Sequence, residues 1–332
     1  MTSSSEWHSA CGKVILFGEH AVVYGAKAIA ASIPDAIQAQ VRPGAQGQKI
    51  AIPAWDLEVA PVETPTENLL VRVLSLIHRE LDLGSQSYSL NIRANIPAAS
   101  GLGASAALAV ASIRALSSHY KRALNDAQVN ALAYKCEELA HGHPSGLDNT
   151  LATYGGLLEF QRNDDQVHFE AVTGVQPFSL LVALSGKKGF TAQTVARVKR
   201  QRDQDRLGVD SLFESVDRAR VLGTLAMQAY DLAELGRNFD ANQKCLRALG
   251  VSCPEIEQII TIARENGALG AKLTGSGDGG AVLVLAGASR DPVQSRLKEA
   301  GYESLVVNVA SADSGYPRGI ESAGDGAINK LR

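Results

Sequence analysis

The segment that most constrains this chain must leave a strand, expose bare backbone and begin a helix within a few residues. It reads Pro97-Ala98-Ala99-Ser100-Gly101-Leu102-Gly103-Ala104-Ser105-Ala106-Ala107. Tyr88 to Ile96 predicts the strand that leads in, and the Ala-, Leu- and Val-rich run from Ser105 to about Tyr120 predicts the helix, alanine being the best helix former. Gly101 and Gly103 let the main chain approach a ligand with no Cβ in the way. The helix turns its free N–H groups and positive dipole end toward the loop. Such N–H groups suit a di- or triphosphate, and the Ser105 hydroxyl is positioned to be offered to Mg²⁺. The same residues would equally serve a plain strand-to-helix turn capped by Ser105.

Two better-known phosphate motifs do not apply. A Walker A loop needs Gly-Lys followed by Ser or Thr after four residues, and no such string occurs. A literal G-x-G-x-x-G does occur at Gly275 to Gly280, but Ala281-Val282-Leu283-Val284-Leu285 follows it and predicts a strand. With no helix opening there, pyrophosphate has no dipole to meet. This second loop is expected to pack beside the first and shape the site with backbone.

A chain of 332 residues exceeds one small core, so two domains are expected, 1–178 and 179–332, with the character changing around Pro177 to Leu184. In the first half, Lys13 to Phe17 predicts a strand, and Asp126 is expected to cap a helix to about Ala140 that His141 to Gly146 breaks. The second half predicts helices over 191–202, 211–235 and 254–266, with Gly267 as a stop. Strands flanking Gly275 to Gly280, a helix from Pro292 and a strand over Ser304 to Val309 complete an α+β layer. Arg197 to Arg206, interrupted by Gln201, Asp203 and Gln204, is expected to be a solvated helix face.

Net charge is −3, which offers no bulk attraction to nucleic acid or an anionic membrane. No stretch approaches the roughly 18 apolar residues of a membrane helix. Cys11, Cys136, Cys245 and Cys253 form no CxxC pair and are expected as reduced thiols of an intracellular protein. The apolar stretch after Cys11 is broken by Lys13 and Glu19, so no signal peptide is expected. Lys330-Leu331-Arg332 is not the peroxisomal tripeptide. A cytoplasmic enzyme is expected, with a peroxisome-type organelle left open.

Three segments together resemble the GHMP kinase family: Gly12 to Gly25, the loop from Pro97 to Ala107, and Lys272 to Gly280. They stand in family order and spacing across nearly the whole chain. The resemblance implies a two-domain α+β GHMP kinase fold, with an N-terminal ribosomal-S5-like domain and a C-terminal ferredoxin-like domain. It implies ATP as co-substrate, bound by Pro97, Ser100, Gly101, Leu102, Gly103, Ala104, Ser105 and Ala106. Within the family, Gly18-Glu19-His20-Ala21-Val22-Val23-Tyr24-Gly25 and His141 to Asn149 are similar to the branch that phosphorylates mevalonate. Galactokinases usually place an acidic residue soon after Glu-His. The implied reaction moves the ATP γ-phosphate to the 5-hydroxyl of (R)-mevalonate, early in isoprenoid and sterol synthesis, by a monomer or homodimer.

Residue by residue, Asp148 matches the catalytic aspartate and Lys13 the lysine near the reacting hydroxyl. Ser105 and Glu137 match the Mg²⁺ ligands, while Glu19, His20 and Thr191 match positions close to the mevalonate pocket. Ala104 departs from the family, which commonly has a second serine there; the loop loses one hydroxyl and keeps Ser105. Trp55 and the helix near Asn68 are candidates for adenine.

The chemistry is coherent without the family. Phosphoryl transfer through a loose transition state needs an aligned acceptor, neutralised phosphates and a proton sink. A carboxylate of pKa about 3.9 cannot ionise an alcohol beforehand, so Asp148 would accept the proton late, with the Lys13 charge beside the developing alkoxide. Two carboxylates sharing one pocket without a cation would raise one pKa. Lys13 in an apolar strand needs a partner. Without the motif, Glu137 beside Glu138 reads as a solvated helix face, Asp148 as the cap of a segment from Asn149, and His20 as a core histidine. His141 and His143 lack the further ligands of a zinc set. Siblings acting on phosphomevalonate, mevalonate diphosphate, homoserine or a sugar are the alternatives, a non-catalytic nucleotide-binding regulator the remoter one. A phosphorylated acceptor would demand extra cations, for which Lys187 and Lys188 are candidates.

Overall fold

Strand-forming segments in this chain gather into two sheets that follow one another along the sequence. The computed structural model describes residues 6–44, 47–59, 68–84, 87–142, 144–163, 166–189 and 191–311. The first sheet and its helices are built from β1 (His8–Phe17), β2 (Ala28–Pro43), β3 (Gln48–Ile52), β4 (Leu57–Val59), α1 (Leu69–Glu80), β5 (Tyr88–Ala94), α2 (Ala104–His119), α3 (Asp126–His141), α4 (Leu147–Tyr154), β6 (Leu157–Asn163) and β7 (Gln166–Ala171). The second part holds β8 (Phe178–Leu184), α5 (Thr191–Gln204), α6 (Arg206–Gln228), α7 (Leu232–Ala248), α8 (Pro254–Glu265), β9 (Gly270–Thr274), β10 (Ala281–Leu285), α9 (Arg290–Glu299) and β11 (Ser304–Val309).

The first sheet runs β4-β3-β5-β2-β6-β7, with β1 paired to β2. Strand β2 is the spine: its later residues pair with β5 and its first residues with β6, both antiparallel, while β3 and β5 run parallel. Helix α2 is buried around almost its whole circumference from Ala104 to Ser117. Its small side chains let β1, β2, α3 and α4 all close on it, which an amphipathic surface helix could not allow.

The second sheet is antiparallel throughout, in the order β11-β8-β10-β9. A first crossover carrying α5 to α8 and a second carrying α9 give the ferredoxin-like arrangement. The two-domain α+β class is therefore the observed one. The ends of β1 and β9 meet across the two sheets, where the Ile15 N–H donates to Thr274 Oγ1 at 2.8 Å.

Several boundaries differ from expectation, each for a local reason. The single helix over 211–235 is two helices, because Tyr230 takes the left-handed region at φ 54° and Asp231 caps a new helix by accepting from the Glu234 N–H. Asp126 is not a cap; Asn125 is, in a capping box with Gln128. All four cysteines are free thiols. Among the described residues, no helix is long and apolar enough to cross a membrane.

Candidate active site

The loop between β5 and α2 lies directly on β1. The Lys13 N–H donates to the Leu102 carbonyl at 2.9 Å. Gly101 and Gly103 adopt φ 77° and 76°, a region that costs a side chain about 1–2 kcal/mol. A Cβ on Gly103 would stand 2.9 Å from Lys13 Cγ, so bare backbone is required for this approach. Gly103 is the N-cap of α2 and brings no capping side chain. Ser105 is not a cap either: its hydroxyl donates to Glu137 Oε1 at 2.8 Å. The first-turn N–H groups of α2 therefore face the loop without a side-chain acceptor.

The second glycine loop closes over the first. A Cβ on Gly280 would lie 3.2 Å from the Ser100 carbonyl oxygen, and one on Gly275 3.7 Å from that of Gly101. Strand β10 follows this loop, as expected, so no helix dipole opens here. Near the entrance to the first loop, the Trp55 indole N–H donates to the Ile96 carbonyl at 3.1 Å, and Asn68 caps α1.

Charged groups converge on the end of α2. Lys13 Nζ lies 3.2 Å from Asp148 Oδ1, with the lysine side chain 9% and the aspartate side chain 32% exposed. The strand lysine thus has the partner its burial demands. Asp148 stands inside the first turn of α4, whose N-cap is Gly146, so it does not serve as a cap. Glu137 on α3 is buried rather than solvated. Its carboxyl pKa is pushed up to about 7, first by burial and then by the Asp148 charge, against the opposing pull of the Ser105 hydroxyl and Lys13. A hydroxyl and two carboxylates beside a glycine loop at a helix N-terminus could hold Mg²⁺, which takes few protein ligands and relies on phosphate and water for the rest. Among the described residues no group of three or more His, Cys, Asp or Glu side chains could hold a metal by itself; His143 lies outside them.

A second cluster forms where the end of β1 meets the second loop and α5. His20 is buried, and its Nε2 lies 2.9 Å from the Ser276 carbonyl, which requires a proton on that nitrogen. Burial lowers its pKa, with the Ser276 carbonyl raising it and Arg197 lowering it further, so the ring is neutral at pH 7. The Thr191 and Ser276 hydroxyls are 3.0 Å apart.

Two residues depart from their sequence expectations. Arg197 lies on the solvated face with its side chain partly exposed, but it also reaches inward: it pairs with Asp278 of the second loop at 2.5 Å, and its Nε is buried with no hydrogen-bond partner among the described residues. Thr191, Thr194 and Arg197 recur every three residues along α5, a spacing that could have singled the arginine out. Of the other cations in that run, Lys199 is exposed and paired to Asp203, while Arg202 pairs with Asp210 and lies over the Tyr24 ring. Glu19, expected at the substrate pocket, turns inward. Its side chain is fully buried, ion-paired with Lys272 and accepting from Asn242 Nδ2 at 3.0 Å. Lys187 lies 3.6 Å from Glu255.

Comparisons with known proteins converge on one family. Residues 68–156 match the GHMP kinases N terminal domain and residues 225–303 the GHMP kinases C terminal domain. A mevalonate kinase of Thermococcus sibiricus is 32% identical over 326 residues, covering 91% of this chain and 95% of that protein. One of Methanothermobacter thermautotrophicus is 35% identical over 281 residues, covering 83% and 88% respectively. Among solved structures, L. major mevalonate kinase in complex with R-mevalonate superposes with a TM-score of 0.82 at 33% identity, covering 93% of this chain and 97% of that one.

Proposed function

From the premise that the chain belongs to the GHMP kinase family and is most like its mevalonate kinases, we propose that it transfers the ATP γ-phosphate to the 5-hydroxyl of (R)-mevalonate. It is an ATP-dependent kinase acting on an alcohol. The observation that carries the rest is the Lys13–Asp148 contact of 3.2 Å beside the Gly103 loop. One acidic and one ammonium group thus stand together against the Gly103 loop.

In this scheme the triphosphate lies against the Gly101–Ser105 backbone and the N-terminus of α2, with the acceptor hydroxyl at Asp148. The Asp148 carboxylate aligns the hydroxyl and receives its proton as the O–P bond forms. The Lys13 ammonium stabilises the charge shared by the developing alkoxide and the γ-phosphate. Ser105 and Glu137 would hold Mg²⁺, which when bound neutralises the phosphate oxygens. Neutral His20, the Thr191 hydroxyl and Arg197 would receive the polar end of the acceptor, with Arg197 facing its carboxylate. Trp55, fixed beside the loop entrance, supports an adenine site there. The domain division at 178/179 falls one residue inside β8, just past the short connection from β7. Four free thiols accord with a reducing, cytoplasmic setting, and the proposed product would place the enzyme in isoprenoid and sterol synthesis.

A phosphorylated acceptor is less well supported, since Lys187, one of the extra cations it would require, is countered by Glu255. A panel of mevalonate, phosphomevalonate, homoserine and galactose, read by coupled ADP release with ATP and Mg²⁺, tests the proposal. Turnover confined to mevalonate is expected. Turnover of another acceptor with none for mevalonate would overturn it.

A further inference from the structure

At the end of β1 the chain makes an uncommon turn. His20 adopts φ 62° and ψ −45°, and the Ala21 N–H donates to the Glu19 carbonyl at 2.7 Å. These are the marks of the positive-φ γ-turn, which is rare and strained for a residue carrying a Cβ. Such a conformation persists only where its surroundings over-determine it.

The surroundings here come from one short stretch of the other sheet, joined by Asn242 of α7, whose Nδ2 donates to Glu19. Lys272, at the middle of β9, is fully buried, and its ammonium pairs with the Glu19 carboxylate. It also donates to the Leu273 carbonyl at 2.7 Å and the Ile15 carbonyl at 3.3 Å. Thr274 brackets Ile15 by accepting from its N–H at 2.8 Å and donating to its carbonyl at 3.1 Å. Two residues further on, Ser276 supplies the carbonyl that receives the His20 ring N–H. The residue before the strained position and the side chain at it are therefore tied to the same strand and loop.

Neither Glu19 nor Lys272 has exposed side-chain surface, so the pair reaches a substrate only through what it holds. A buried ion pair is weak evidence for net stability, because desolvating both charges offsets their attraction; fixing register is its best-attested use. We propose that the Glu19–Lys272 pair is a positioning device for the acceptor site, locking the turn that presents His20 at the Ser276 carbonyl beside Thr191. It rests on the mevalonate reading above for its kinetic readout only. Glu19 belongs to the acceptor site as a support behind His20, not as a ligand.

The test compares wild type, Glu19→Gln, the Glu19→Gln/Lys272→Met pair, His20→Ala, and the pair combined with His20→Ala. Steady-state constants for mevalonate and ATP are measured, together with ¹⁵N-histidine NMR of the His20 Nε2–H. The pair variant should keep a cooperative unfolding transition and an ATP KM within about twofold of wild type, since its charges are removed together. Its mevalonate KM should rise about tenfold or more, with the protected Nε2–H signal lost. Adding His20→Ala should cause no further rise beyond His20→Ala alone, because two residues acting through one contact are not additive. An unchanged mevalonate KM, or losses that multiply, would overturn the proposal. If the pair variant does not fold, Glu19→Gln/Lys272→Gln, which also removes both charges but keeps a hydrogen-bonding side chain on each side, carries the same readouts. If wild type does not phosphorylate mevalonate, the functional reading fails, while the His20 signal and its loss still decide the positioning claim.

Discussion

Following the stability of the ligand-free protein from pH 4 to pH 9 isolates Glu137. Its pKa rises from the ordinary 4.5 to about 7 in the folded chain, so the native state holds that proton more tightly than the unfolded state does. The contribution is fully present below about pH 4.5 and is lost as pH rises to about 7, then stays flat. At 1.36 kcal/mol per unit, the span amounts to about 3 kcal/mol. Glu137→Gln mimics the protonated acid and keeps an oxygen for the Ser105 hydroxyl. Chemical denaturation of both proteins across the range should show the variant gaining about 3 kcal/mol on wild type between pH 4.5 and 7. Calorimetry supplies a second readout. Near pH 7 about half the Glu137 carboxyls carry a proton, so binding of Mg²⁺ and nucleotide should release about half a proton, falling to about a tenth at pH 8 and absent in the variant. Parallel pH profiles for the two proteins, with identical proton release, would refute the assignment of Glu137 as a carboxylate held ready for a cation.

Other perturbations follow from single contacts. Gly103→Ala places a Cβ 2.9 Å from Lys13 Cγ at φ 76°, so it should displace the lysine and lower kcat at least about tenfold; steady-state kinetics with a wild-type kcat would contradict that. Arg197→Met should raise the mevalonate KM roughly 10- to 100-fold, the worth of a hydrogen bond to a charged group, and leave the ATP KM alone; equal effects on both constants would count against it. Gly223→Ala drives a Cβ to 2.3 Å from the Phe17 ring, and should destabilise by about 1–3 kcal/mol through overpacking, measured as a lowered denaturation midpoint.

What the sequence disclosed was what short-range chemistry encodes. The loop from Pro97 to Ala107 carries its own strand, turn and helix preferences, and β10 is announced by a β-branched apolar run. Strand β2 was hidden because its sixteen residues include Pro34 and Asp35, the latter at φ 48°, where the strand bends and exchanges partners. The break between α6 and α7 was hidden because no Gly or Pro marks it; Tyr230 takes a conformation that propensity disfavours. Arg197 was obscured because it stands in a run of similar cations and its partner Asp278 lies 81 positions away. The inward turn of Glu19 depends on Lys272, a partner 253 positions away, which no local pattern reveals.

Single-turnover quench-flow of Asp148→Asn, at saturating ATP, Mg²⁺ and mevalonate, bears most directly on the Lys13–Asp148 contact as the place of phosphoryl transfer. The substitution keeps the side chain's shape and removes its ability to take a proton. Phosphoryl transfer should slow by about 10²–10⁴, with ATP binding unchanged. Transfer at the wild-type rate would mean that the proton leaves by another route and that the acceptor hydroxyl does not sit at Asp148.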